Sequence, residues 1–162
     1  MPAKPDPIAA ADDKARQMAQ ALMAAGHAAL AWTDPETRTP AISRIAFGRA
    51  PGGVPMTLIS SLAPHFAALR ASPACAVMVG EVGHKGDPLT HPRLMIKVIA
   101  EFILPDDPAR PTLRDHWLTH HPKSKLYIDF ADFALVRLIP QSALLNGGFA
   151  RAYRLTPTDL IA

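Results

Sequence analysis

A mainly β antiparallel barrel with a few peripheral helices (class α+β) is the fold this sequence predicts, and three observations predict it. Six or seven short apolar runs are separated by Gly, Pro and Asp turns. Only three stretches carry helical periodicity. These helices do not alternate regularly with the strands, which argues against a doubly wound α/β sheet. No internal repeat or linker interrupts the 162 residues, so one domain over 1–162 is expected, burying roughly 70% of its unfolded surface.

The elements follow in order. Residues 8–25 read as an amphipathic helix, with Ala15, Met18, Ala19, Leu22 and Met23 at helical spacing, Asp12 and Asp13 at its start and Gly26 as its stop. Next come "HAALAWT", the turn "DPET", "PAISRIAF", the turn "GRAPGGVP", and "MTLIS". In the second run Ile42, Arg44 and Ala46 face one way, and Ala41, Ser43, Ile45 and Phe47 the other. "APHFAALRASP" reads as a short helix ended by Pro73. "ACAVMVG" is a fourth strand, residues 81–92 a polar loop, and residues 93–104 a long fifth strand. Residues 108–122 read as a helix and 133–140 as a sixth strand. Residues 142–155 hold a strand, a Gly-Gly bend and a possible seventh strand, while "KSKLYIDFADF" is ambiguous.

Composition excludes several function classes. Apolar residues make up 49% and charged residues 19%, as in a soluble globular protein. The net charge of +3 is dispersed, with no basic block interleaved with aromatics, so nucleic acid is not an expected partner. A phosphorylated small molecule suits such a field better. The lone Cys75 lies among apolar residues and reads as a small buried hydrophobe in a reducing compartment. No window resembles a signal peptide or a membrane span, so a cytoplasmic protein with no membrane partner is expected.

Residues that carry chemistry cluster at "LISSLAPHF". Ser60, Ser61 and His65 crowd a strand-to-helix corner, where helix N–H groups, hydroxyls and an imidazole make a phosphate cradle, or else Ser is merely a cap. Arg44, one strand earlier, offers a planar fork for the same anion, or points to water from the outer face. Arg93 and Lys97 share one face of the long strand and either approach a cofactor or extend into solvent. In "NGGFARA", Gly148 permits close approach and Phe149 either lies against a flat ring or joins the core. His116 and His120 are four apart, a chelating spacing, but lack the protease zinc pattern's glutamate; a solvated face is expected and no metal. No nucleophile elbow, Rossmann or P-loop motif appears, so an organic cofactor would carry any redox chemistry.

The segments "ARQMAQALMAAGHAALAWTDPETRTPAISRIAF", "PMTLISSLAPHFAALRASPACAVMVGE", "DPLTHPRLMIKVIAEF" and "IDFADFALVRLIPQSALLNGGFARAY" together resemble the pyridoxamine 5′-phosphate oxidase-like FMN-binding split barrels, nearest the branch with haem-utilisation proteins. The resemblance implies a homodimer with FMN at the subunit interface. It implies that Ser43 and Arg44 contact flavin or phosphate, and Ser60, Ser61 and His65 the phosphate region. Arg93 matches an arginine of this branch, and "GGFA" a glycine–phenylalanine motif. The chain departs at Phe66 and Ala68, where the branch carries a small hydroxyl residue and an asparagine, at Val98 for glycine, and at Phe47 for a basic residue.

Two functions follow as expectations. One is an FMN-dependent oxidoreductase of unknown small-molecule substrate. The other is a non-enzymatic module with a degenerate flavin groove that holds haem, its iron on His120 or His121, or another ligand, or nothing.

Overall fold

The computed structural model describes residues 8–161. The expectation about the N-terminal segment falls partly on residues 1–7, outside the described residues. Nine strands, β1 (Ala9–Ala10), β2 (His27–Thr33), β3 (Pro40–Ala46), β4 (Gly48–Arg49), β5 (Pro55–Ser60), β6 (Ala74–Val79), β7 (Arg93–Phe102), β8 (Phe133–Asn146) and β9 (Ala152–Leu155), form one sheet among the described residues. Four α-helices surround it: α1 (Asp13–Leu22), α2 (Pro64–Ala71), α3 (Arg110–His120) and α4 (Pro157–Ile161).

The sheet closes on itself. Its path runs β9–β8–β7–β6–β2–β3, and one residue beyond β3 the chain continues as β4, which pairs with β5. β5 in turn pairs with β8 from Met56↔Arg137 to Ser60↔Phe133. This ring is the split barrel. Its strand count exceeds six or seven because β1 and β4 are two-residue strands, too short to show alternation.

The predicted helix over 8–25 is shorter than its periodicity. Asp12 accepts the Ala15 N–H at 2.7 Å and starts α1 there, while Ala9 and Ala10 pair in parallel with β9. The helix ends on Met23, and Gly26 is not a left-handed stop. The runs at 133–140 and 142–146 are one strand. Pro140 sits in it because Gln141 bulges out opposite the Lys97–Val98 step, so the missing N–H breaks no ladder bond. The ambiguous segment begins with a 3₁₀ turn, Pro122–Leu126.

Two clusters make the core. The barrel interior is filled by Leu30, Val77, Leu94, Ile96, Val136, Leu138 and Leu145. A second cluster packs α3 on the barrel wall through Leu113, Trp117 and Ile128 against Met56 and Leu135, and Trp117 donates its indole N–H to Ser124 at 3.1 Å. Among the described residues no helix is long and apolar enough to cross a membrane.

Candidate functional site

The corner at Ser60 is built differently from the expected cradle. α2 begins at Pro64 with Ala63 as its cap residue, so neither serine caps it. Ser60 donates its hydroxyl to the Asp132 carboxylate at 2.9 Å and accepts the Leu62 N–H at 3.1 Å. Ser61 gives its backbone N–H to the Asp132 carbonyl and leaves its side chain exposed. A carboxylate on Ser60 opposes a phosphate at that hydroxyl. His65 is only 8% exposed, lies edge-on to Trp32 with ring centroids 6.5 Å apart, and is held below its ordinary pKa by burial. Burial thus disfavours the protonated form in which it was expected to donate. Its Nδ1 is buried with no hydrogen-bond partner.

The other predicted residues stand in separate places. Ser43 accepts the Trp32 indole N–H at 2.9 Å. Arg44 pairs across the sheet with Ala29 and lines a cavity of about 340 Å³ with His27, Ile42, Met78 and Glu81; Ser60, Ser61 and His65 are not among its walls. There the His27 Nε2 meets the Glu81 carboxylate at 2.5 Å. Arg93 is turned to the preceding loop, donating to the carbonyls of Leu89 and His91 at 3.1 and 3.4 Å. Lys97 lines two other grooves, one beside Cys75 and one beside Ser142. Burial pushes the Cys75 thiol up to about 11, as its apolar flanks predict. Gly148 does need its backbone, at φ +119, because a Cβ there would stand 3.2 Å from the Thr90 carbonyl. Phe149 is 88% exposed and is not part of the core.

A more developed site lies beyond the C-terminal end of α1. A second cavity of about 340 Å³ has apolar walls from Met23, Ala24, Ala25 and Phe47, and three imidazoles, His116, His120 and His121, at its side. Their geometry follows from α3. His121 is four residues after Trp117 and stacks flat on the indole, centroids 4.0 Å apart and planes 8° from parallel. Gly48 makes room for the stack: a Cβ there would meet His121 and Trp117 carbons at 3.0 Å.

Carbonyls set the tautomers. His120 Nδ1 lies 3.1 Å from the His116 carbonyl, which only accepts, so Nδ1 donates and Nε2 of the neutral ring keeps its lone pair. His121 Nε2 lies 3.4 Å from the Gly26 carbonyl and donates by the same logic, while its Nδ1 is buried and without a hydrogen-bond partner. Arg49 also lines the cavity, but its guanidinium is bound to the carbonyls of Gly53 and Leu160, each at 3.1 Å, and burial lowers its pKa. No set of three or more His, Cys, Asp or Glu among the described residues is arranged around a metal ion. The two cavities adjoin along the chain, since Gly26 lines one and His27 the other.

The histidines were visible in the sequence, but the cavity walls were not. Gly48 lay in a stretch read as a turn, and His27 and Glu81 carried no motif. The 117/121 spacing was the available signal for the stack.

No family model matches the chain. A curated relative, the chloroplastic non-canonical haem oxygenase HOZ of Arabidopsis thaliana, is 29% identical over 114 residues, 70% of this chain and 34% of that protein. The chain thus spans about a third of that relative's length. One solved structure is 40% identical, with a TM-score of 0.83 over 94% of this chain and 98% of its own. A protein of unknown function from Agrobacterium tumefaciens is 30% identical, with a TM-score of 0.82 over 94% of this chain and 62% of its own. A haem-binding protein from Mycobacterium smegmatis shares the fold at 24% identity, with a TM-score of 0.81 over 93% of this chain and 61% of its own.

Proposed function

For a chain that belongs to the pyridoxamine 5′-phosphate oxidase-like split-barrel family, near its haem-utilisation branch, we propose haem binding at the imidazole-lined cavity. The observation that carries this is the open His120 Nε2 beside apolar walls. The donor set fits haem: an imidazole suits iron, and an apolar wall suits the macrocycle. His120 would hold the iron, and the His116 carbonyl, accepting from Nδ1, would fix the orientation of its ring. Arg44, in the adjoining cavity, would take a carboxylate of the ligand with its planar fork. Bound there, haem supplies redox chemistry at its iron.

A second copy of the chain would cover the outer sheet face, where Ile42 is 77%, Met78 45% and Ile99 36% exposed. That arrangement would put the Arg44 cavity at the rim of a homodimer.

The test is a haem titration of the purified protein followed by absorption. Uptake with a sharpened, shifted Soret band is expected, and His120→Ala should lose it. An identical spectrum in His120→Ala, or no uptake by the parent protein, would overturn the proposal.

A second reading is an FMN-dependent oxidoreductase in which the flavin ring carries the electrons. It is favoured by the buried, unpartnered His65 Nδ1 at the start of α2. Flavin bands in the protein as purified, or FMN uptake that Arg44→Ala weakens, would select this reading.

A further inference from the structure

On the far side of α2 lies a cleft that neither ligand uses. It has a volume of about 390 Å³, within the range of small-molecule sites. Its walls are aromatic: Phe66, Phe102, Phe130 and Phe133 all face it. Phe66 and Phe102 meet edge to face, centroids 5.0 Å apart, so this wall is rigid. Phe130, 58% exposed, stands at the mouth.

Two guanidinium groups, Arg70 and Arg110, are the cations of the cleft. Arg70 sits 5.1 Å from the Phe102 ring centroid and makes no hydrogen bond or ion pair among the described residues. A cation over a ring uses its charge and leaves its N–H donors open. Arg110 gives one N–H to the Ile128 carbonyl at 3.3 Å and stands 3.9 Å from Asp129. Asp129, the one acid in the lining, is held by both nitrogens of an Arg114 fork at 2.7 and 2.5 Å. Arg114 also pairs with Asp115 at 3.0 Å, so it is shared between two carboxylates; the lining itself, two arginines against one aspartate, keeps a positive excess.

We propose that this cleft binds a small aromatic carboxylate, its ring against the phenylalanines and its carboxylate on Arg70 and Arg110. A flat ring suits the aromatic wall, and a carboxylate accepts the paired N–H groups of an arginine. A neutral aromatic would leave Arg70 unanswered, and a simple anion would leave the rings wet.

The experiment is calorimetric titration of the full chain with 1-naphthoate, alongside 1-naphthalenemethanol and acetate. Saturable binding of naphthoate is expected, with the other two much weaker. Arg70→Gln should weaken it by about tenfold or more, the loss of a hydrogen bond to a charged group. Arg70 is exposed, so this variant keeps its fold, which its melting curve verifies. Haem uptake should be unchanged in Arg70→Gln. The inference is overturned if naphthoate shows no saturable heat, if the alcohol binds equally well, or if Arg70→Gln binds naphthoate as the parent does. It is also overturned if haem displaces naphthoate.

Discussion

His65 carries a cost that depends on pH. The folded protein holds it almost fully buried and below its ordinary pKa of 6.5, whereas the unfolded chain leaves it free to take a proton. Below about pH 6.5 the unfolded state binds more protons, so stability falls as pH drops toward the folded value. The contribution is fully present above the ordinary value. We expect the melting temperature to fall between about pH 7 and about pH 5.5, and His65→Gln to flatten that slope. Parallel slopes for the two proteins would sink the idea. The sequence showed this histidine and its two serines at one corner, and the structure keeps them there. What it could not show was Asp132, 72 residues away from Ser60, arriving to take the hydroxyl. A partner from that distance leaves no local pattern.

At the scale of elements, α3 and β4 are fitted to each other through one missing methyl group. Gly48 lies under the Trp117–His121 stack, with carbons at 3.0 Å from where a Cβ would be. Gly48→Ala should therefore overpack the contact and destabilise by about 1–3 kcal/mol, read as a lower urea midpoint. It should also displace His121 and reduce haem uptake. A variant with unchanged midpoint and unchanged uptake would mean the contact relaxes freely. Most element types were legible here because alternation and turns are local signals. The boundaries were less so. The apolar period continued upstream of α1, but Asp12 set the start and the pairing of Ala9 and Ala10 with β9 took the rest. Pro140 looked like a strand end because its bulge depends on the partner strand.

For the whole molecule, the open question is what covers the outer sheet face. Ile42, Met78 and Ile99 stand exposed there, the first two in the walls of the Arg44 cavity. We expect a dimer by light scattering, and a monomer with an unchanged circular dichroism spectrum for Ile42→Lys. A parent protein that is already monomeric, or a variant that remains dimeric, would contradict that assembly. The barrel itself was legible as a class, from strand number and turn spacing. Its closure was not, because β4 contributes only two residues to it.

That closure also bears on how the chain reaches its fold. The β2–β3 hairpin joins Leu30 to Ser43, a short loop that forms early. The seam that seals the ring joins Met56 to Arg137, across most of the intervening chain. Loop-closure entropy places that step late, after the local hairpins have collapsed. Until then β5 has an open edge on the β8 side, and its six residues include Met56, Leu58 and Ile59. A chain whose seam has not yet closed would thus be the most association-prone form of this protein, and dilute renaturation is the condition its topology favours.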